Sequence, residues 1–222
     1  MRKNLQHMSA KLKIGIVGLC LCATSFFAQT VTPNFEGEIV YANTYKSKNP
    51  KLEGKRLGSM LGTIHYYYVK GGDYKTVTNG HFAQWQMYLS KDNKIYNKMA
   101  SSDTVFWNNA AEHDDDVLST KLNKNVITIL GYPCDELVLT CRSGVHKYYF
   151  NSKLRLDSKL YVKHKYANYY SYLSKTNAVP LKMILEDVEF IMESVAKEIK
   201  PRKLDATLFI IPATTKTAKS VY

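Results

Sequence analysis

The chain has 222 residues, with 31 Lys and Arg against 19 Asp and Glu and a formal net charge of +12 near neutrality. That length points to one domain whose core is large enough to fold without disulfide staples. The basic residues are spread along the sequence with no run of five or more, which reads as solvated strand faces and argues against a nucleic-acid patch.

Residues 1–28 carry Arg2, Lys3, Lys11 and Lys13 but no acid, followed by an apolar run from Ile14 to Phe27. This is the pattern of a secretory signal peptide, with cleavage expected after Ala28. The run is shorter than the roughly 20 residues that span a bilayer. Leu19 and Leu21 stand before Cys20 and Cys22 where a lipoprotein signal wants a small residue, so no lipid anchor is expected. The mature chain then carries 27 basic and 19 acidic residues, near +8, a charge suited to an anionic membrane surface. The division expected is a signal peptide over 1–28, a single β-rich domain over 29–212 and a flexible tail over 213–222.

Seventeen Tyr together with many Val, Ile and Thr favour strands. Phe35 to Tyr45 alternates as one long strand, with Phe35, Gly37, Ile39, Tyr41 and Asn43 on one face. Asn49 to Gly62 suits a loop or short helical turn. Thr63–Lys70 and Tyr74–Thr78 flank a Gly71-Gly72-Asp73 turn, and a second hairpin runs from Trp85 through Lys91–Lys94 to Met99, with Trp85 on the buried face. Thr104–Trp107 leads into an acidic loop at 112–116. Val126–Leu130, Glu136–Cys141, His146–Phe150 and Lys153–Tyr161 read as successive strands, with Asn151-Ser152 among the turns. Tyr166, Tyr169, Tyr170 and Leu173 are spaced for one face of a short helix. Strands at nearly every ten residues imply an antiparallel, mainly β meander.

Cys134 and Cys141 stand seven residues apart. On one strand they would lie about 23 Å apart and on opposite faces, beyond the reach of a disulfide, and their spacing fits neither a redox nor a zinc motif. Free thiols are expected.

Four stretches occur together and in order: FEGEIVY (Phe35, Gly37, Ile39), ILGYPCDELVLT (Gly131, Cys134), KYYFNSKL (Tyr148, Tyr149), and a C-terminal segment closing on Phe209, Ile211 and Pro212. In these the chain resembles a group of exported Gram-negative proteins of uncharacterised function whose fold is similar to the periplasmic lipoprotein carrier LolA. The resemblance implies a curved antiparallel half-barrel with one or two short helices, in the periplasm or envelope of a Gram-negative bacterium. It also reads Leu181–Ile199 as two strands turning near Glu186-Asp187, whereas the spacing of Ile184, Val188, Ile191, Val195 and Ile199 alone reads as an amphipathic helix. The hairpin is the expectation.

No strong chemical motif is present. The Glu112–Asp116 cluster lacks the spacing of a calcium loop, and His65, His81, His146 and His164 form no metal grouping. There is no nucleophile elbow or phosphate loop, so neither catalysis nor a cofactor or metal is expected. The remaining candidates are aromatic: Tyr66, Tyr68, Trp85, Tyr149 and Phe190 as contacts for a lipid, a lipoprotein acyl group or another apolar ligand on the concave face of the sheet. The chain is expected to be monomeric. The second reading is an envelope interaction protein whose interior is filled by its own side chains and which contacts a protein or polyanion.

Overall fold

The computed structural model describes residues 33–113 and 115–221; the expected export segment 1–28 lies outside the described residues. In chain order the elements are β1 (Gly37–Ser47), α1 (Gly54–Leu61), β2 (Ile64–Lys70), β3 (Asp73–Thr78), β4 (Ala83–Leu89), β5 (Lys94–Met99) and β6 (Val105–Asn109). Then follow β7 (Val117–Ile129), β8 (Tyr132–Cys141), β9 (Val145–Arg155), α2 (Tyr169–Thr176), β10 (Ala178–Glu186), β11 (Phe190–Pro201) and β12 (Thr217–Lys219). All the strands join one open sheet in the order β12-β6-β5-β4-β3-β2-β1-β11-β10-β9-β8-β7. The fold is thus mainly β, and antiparallel except where β12 lies parallel to β6.

The hairpins follow from local turn chemistry. Gly71 takes a left-handed φ of 58° between β2 and β3, and Leu130 and Gly131 are both left-handed (49° and 80°) between β7 and β8. Positive φ at both central residues is what a two-residue turn between right-twisted strands requires. The β10–β11 hairpin turns immediately after Glu186, with Glu186 opposite Ile191, Leu185 opposite Met192 and Met183 opposite Ser194. Helical spacing in this segment gives way because β9 and β1 supply ladder partners on both sides.

One connection dictates the curvature. Strands β6 and β7 are consecutive in sequence yet ten ladder steps apart in the sheet, about 48 Å if the sheet were flat. The chain from Asn109 to Val117 can span no more than about 29 Å. The sheet must therefore curl until these two strands approach each other, and the connecting segment crosses its open side. The Ala110 carbonyl there accepts the backbone N–H groups of Lys165 (2.6 Å) and Tyr166 (3.0 Å), while the Asn168 side-chain amide donates to the Asp115 carbonyl at 2.8 Å. These bonds bring the crossover alongside α2.

Two apolar clusters result. The larger lies within the curl, built from residues such as Ile39, Tyr41, Val69, Leu139 and Leu181 and covered by Tyr172 and Leu173 of α2. The smaller lies on the outer face of the β4–β6 region, where Met87, Leu89, Tyr96 and Val105 are covered by Leu204 and Phe209. The covering segment is held by the Leu204 N–H donating to Glu36 (2.7 Å) and by Lys70 donating to the Leu204 carbonyl (2.6 Å).

The structure departs from the expected elements at three places. The strand expected from Val126 begins already at Val117: β7 is an edge strand exposed on both faces, so the stretch 117–125, left unassigned from sequence, carries no alternation to read. Asn151-Ser152 is no turn, since β9 runs unbroken to Arg155; a short 3-10 turn follows at Ser158–Tyr161. The tail 213–222, expected to be flexible, places Thr217–Lys219 on β6, because that edge offers unpaired backbone groups. The Val105 N–H donates to the Lys216 carbonyl and the Ser220 N–H to the Trp107 carbonyl.

Gly80, after β3, sits against the end of α1. A Cβ there would lie 2.5 Å from the Met60 carbonyl oxygen and 2.7 Å from the Gly62 nitrogen. Because backbone cannot give way as a flexible side chain can, Gly80→Ala is expected to cost about 1–3 kcal/mol. Equilibrium urea unfolding checks this; an unchanged midpoint would mean that the contact relaxes freely.

Candidate functional site

Inside the curl, between the sheet and α2, lies a cleft of about 390 Å³. Its wall draws on β1–β5, on β9–β11 and on residues 164–172. The wall is graded. On the β10–β11 side it presents Met183, Leu185, Phe190 and Met192; on the β3–β5 side it presents Thr76, Thr78, Gln86 and Asn97. Gln86 donates to Asn97 at 3.0 Å and Asn97 to Asn108 at 3.2 Å, so the polar side is a ladder of amides running toward the sheet edge.

Aromatic rings form the roof and its supports. Tyr169 stacks on Tyr74 with centroids 5.2 Å apart, His164 stacks on Tyr169 at 4.4 Å, and Tyr172 stacks on Tyr148 at 4.3 Å. Two tyrosines one helical turn apart thus clamp β3 and β9, strands five ladder steps apart. Each such pair adds about 0.5–1.5 kcal/mol beyond simple burial. Their polar atoms are tied within the protein. Tyr41 donates to the Pro180 carbonyl (2.6 Å), Tyr172 donates to the Ala178 carbonyl (2.7 Å), and the Tyr67 and Tyr169 hydroxyls meet at 3.1 Å. Burial pushes the Tyr41, Tyr67, Tyr74, Tyr148, Tyr169 and Tyr172 phenols upward, so these rings are neutral.

Of the aromatic residues singled out in sequence, Phe190 lines the cleft, its ring edge-on to Tyr45 at 6.0 Å. Trp85 borders the cleft, yet its indole lies 5.1 Å from the Lys75 ammonium and packs with the outer cluster. Tyr66 is exposed, and Tyr68 packs with the outer cluster. Tyr149 lies beside Lys182, whose ammonium is 5.5 Å from the ring, and shares its ladder position with Glu136. None of these last three lines the cleft; their neighbours Tyr67 and Tyr148 do. The runs Tyr66-Tyr67-Tyr68 and Tyr148-Tyr149 put a tyrosine on each face, so alternation could not choose between them.

Asn43 lies between Tyr41 and Tyr45 on β1, opposite Ser194, and is 3% exposed. Neither polar atom of its side chain has a protein partner. Such burial costs on the order of 1–3 kcal/mol. The nearly isosteric Asn43→Leu is therefore expected to stabilise the ligand-free protein, measured as a higher urea midpoint; a lower midpoint would show that the amide is satisfied in solution.

A second polar cluster lies near the start of α2. Asp115, Cys141 and His146 bring one carboxylate oxygen, the thiol sulfur and one imidazole nitrogen within 4.8 Å of one another. Cys141 Sγ and His146 Nδ1 are 3.9 Å apart. This is no activated nucleophile, since burial, reinforced by Asp115, pushes the thiol up to about 11. Cys134 and Cys141 are both free and buried. Both join the larger core cluster, with Cys134 sitting where the β7 pairing is irregular between Asn123 and Ile127. The acidic loop is exposed at Glu112, His113 and Asp116 and anchored at Asp115, which accepts the Ser143 N–H and hydroxyl, while Asp116 pairs with Arg142 at 2.9 Å.

No protein-family model matches the chain, and no curated protein sequence matches it. Among solved structures, one of PNGF-II is similar with a TM-score of 0.46 and 14% identity over 84% of this chain. The chain spans 32% of the length of that structure.

Burial draws the His164 imidazole down to about 3, whereas the unfolded chain protonates near 6.5. The folded protein binds fewer protons between these values, so this stability is full above pH 6.5 and falls as pH drops toward 3. The expected loss is about 2 kcal/mol by pH 5; the lowered His65 adds in the same direction. Urea midpoints at pH 7 and pH 5 measure the loss, and His164→Phe should flatten it. An equal slope in that variant would assign the titration elsewhere.

Proposed function

We propose that the chain is an exported, non-catalytic binding protein of the Gram-negative cell envelope that holds a lipid, acyl chain or similar amphiphile in the cleft between α2 and the sheet. The carrying observation is the cleft itself: about 390 Å³, walled mainly by aromatic and aliphatic side chains, with an amide ladder on one side. Pockets of this size, mostly apolar with a few convergent polar groups, are the usual form of small-molecule sites. The grading of the wall favours an acyl or ring portion against Met183, Leu185 and Met192, with the polar end toward Gln86 and Asn97.

Binding is favoured over catalysis by the chemistry of the wall. Among the described residues none of its members is a carboxylate, and burial lowers both histidines of the wall, His65 and His164, so neither stands in the cleft as a cationic acid near neutral pH. The resemblance to proteins with a LolA-type fold supports the same reading. The alternative, an interaction protein of the envelope, draws on β7, where Leu118, Leu122, Val126 and Ile127 are exposed along a sheet edge.

The mature protein, titrated with a fluorescent polyene fatty acid, is expected to take it up saturably at one per chain. Leu185→Trp, which fills the apolar side, should weaken uptake roughly tenfold or more, about 1.4 kcal/mol or more. Tyr66→Ala, outside the cleft, should leave it unchanged. Absence of saturable uptake, or equal effects of the two variants, would overturn the assignment.

A further inference from the structure

We propose that Asp115, Cys141 and His146 form a binding site for a single Zn²⁺ or a similarly borderline-soft divalent cation. The donors come from three separate places: the crossover before β7, the last residue of β8 and the second residue of β9. Their ligand atoms already lie within 4.8 Å of one another. In a tetrahedral zinc site, bond lengths of about 2.3 Å to sulfur and 2.0–2.1 Å to nitrogen put the two donors about 3.6 Å apart. Cys141 Sγ and His146 Nδ1 are at 3.9 Å, so a shift of a few tenths of an ångström completes that edge.

The surroundings orient the donors as the outer shell of a metal centre does. His146 Nε2 lies 3.2 Å from the Glu186 backbone carbonyl. A carbonyl only accepts, so Nε2 carries the proton, and Nδ1 presents its lone pair toward Cys141. A ring nitrogen committed to a backbone carbonyl while the other meets the metal is the common arrangement at histidine-ligated ions. The Asp115 carboxylate is held by the Ser143 N–H at 3.0 Å and the Ser143 hydroxyl at 2.8 Å. Asn168, buried and in left-handed backbone at the start of α2, donates from Nδ2 toward Asp115 Oδ2 at 3.4 Å and Cys141 Sγ at 3.5 Å. A fourth ligand is left to water, which reaches the partly exposed Asp115 and His146.

The mixed sulfur, nitrogen and oxygen set selects the metal class. Calcium and magnesium take oxygen donors, whereas thiolate with imidazole suits zinc and its neighbours. On binding, the metal–sulfur bond replaces the Cys141 S–H bond, and the proton passes to the buffer with no change in oxidation state. The site would tie the crossover, the β8–β9 hairpin and, through Asn168, the start of α2 to one ion.

Cobalt(II) titration of the full mature chain tests this, because a thiolate–cobalt bond gives a near-ultraviolet charge-transfer band and a tetrahedral site adds visible bands. The expected result is one cobalt per chain, displaced by Zn²⁺, with the band lost in Cys141→Ser and kept in Cys134→Ser. His146→Gln and Asp115→Asn should each weaken Zn²⁺ binding at least tenfold, which keeps the test informative if Cys141→Ser folds poorly. No charge-transfer band with the wild-type chain, a band that survives Cys141→Ser, or unchanged Zn²⁺ affinity in both ligand variants would overturn the proposal.

Discussion

The short crossover from β6 to β7 is the constraint on which the rest of the molecule rests. A chain that must pass between the two ends of a sheet in so few residues leaves the sheet no flat solution. The curl creates an inner face that no second sheet covers. Among the described residues α2, the segment 158–168 that leads into it and the crossover fill its mouth, and α2 is eight residues long, too short to cover that face. A cleft is the geometric remainder of a long curved sheet roofed by a short helix.

What keeps the roof in place is aromatic stacking rather than aliphatic interdigitation. Tyr74, Tyr88, Tyr161, Tyr169 and His164 form a contiguous group of rings. Tyrosine suits this role because its ring buries large area while its hydroxyl can be matched one by one to a carbonyl or another hydroxyl. Tyr161 donating to the Gly71 carbonyl and Tyr74 meeting His164 Nε2 at 2.9 Å are such matches. The inner surface is consequently apolar in character although it is built from polar residues.

Many of the strands and their hairpin turns were legible from local signals. The Gly71-Gly72 turn, the alternation of β1 and the helical spacing around Tyr169 each depend on neighbours within a few residues. The two halves of Leu181–Ile199 show the limit of that logic, since their helical spacing is overruled by ladder partners on β1 and β9 that lie far away in sequence. Face assignment failed for a related reason: in Tyr66-Tyr67-Tyr68 both faces read alike, and which ring points inward is fixed by Ile39 opposite Tyr67. The convergence of Asp115 on Cys141 and His146 joins positions 26 to 31 residues apart through a hairpin and a crossover, and no spacing rule reports it.

Strand β1 is central in the sheet, yet one of its two neighbours is β11, with Gly37 opposite Pro201. A chain made from its N-terminus exposes one flank of β1 as an unpaired edge until almost all of the sequence is available. Pairing over such separations is slow, because loop closure must come before the contacts that reward it. An unpaired, aromatic-rich edge is also a template for association with other chains. The incomplete chain therefore passes through an interval, set by the distance in sequence between β1 and β11, in which this flank is open to association with other chains.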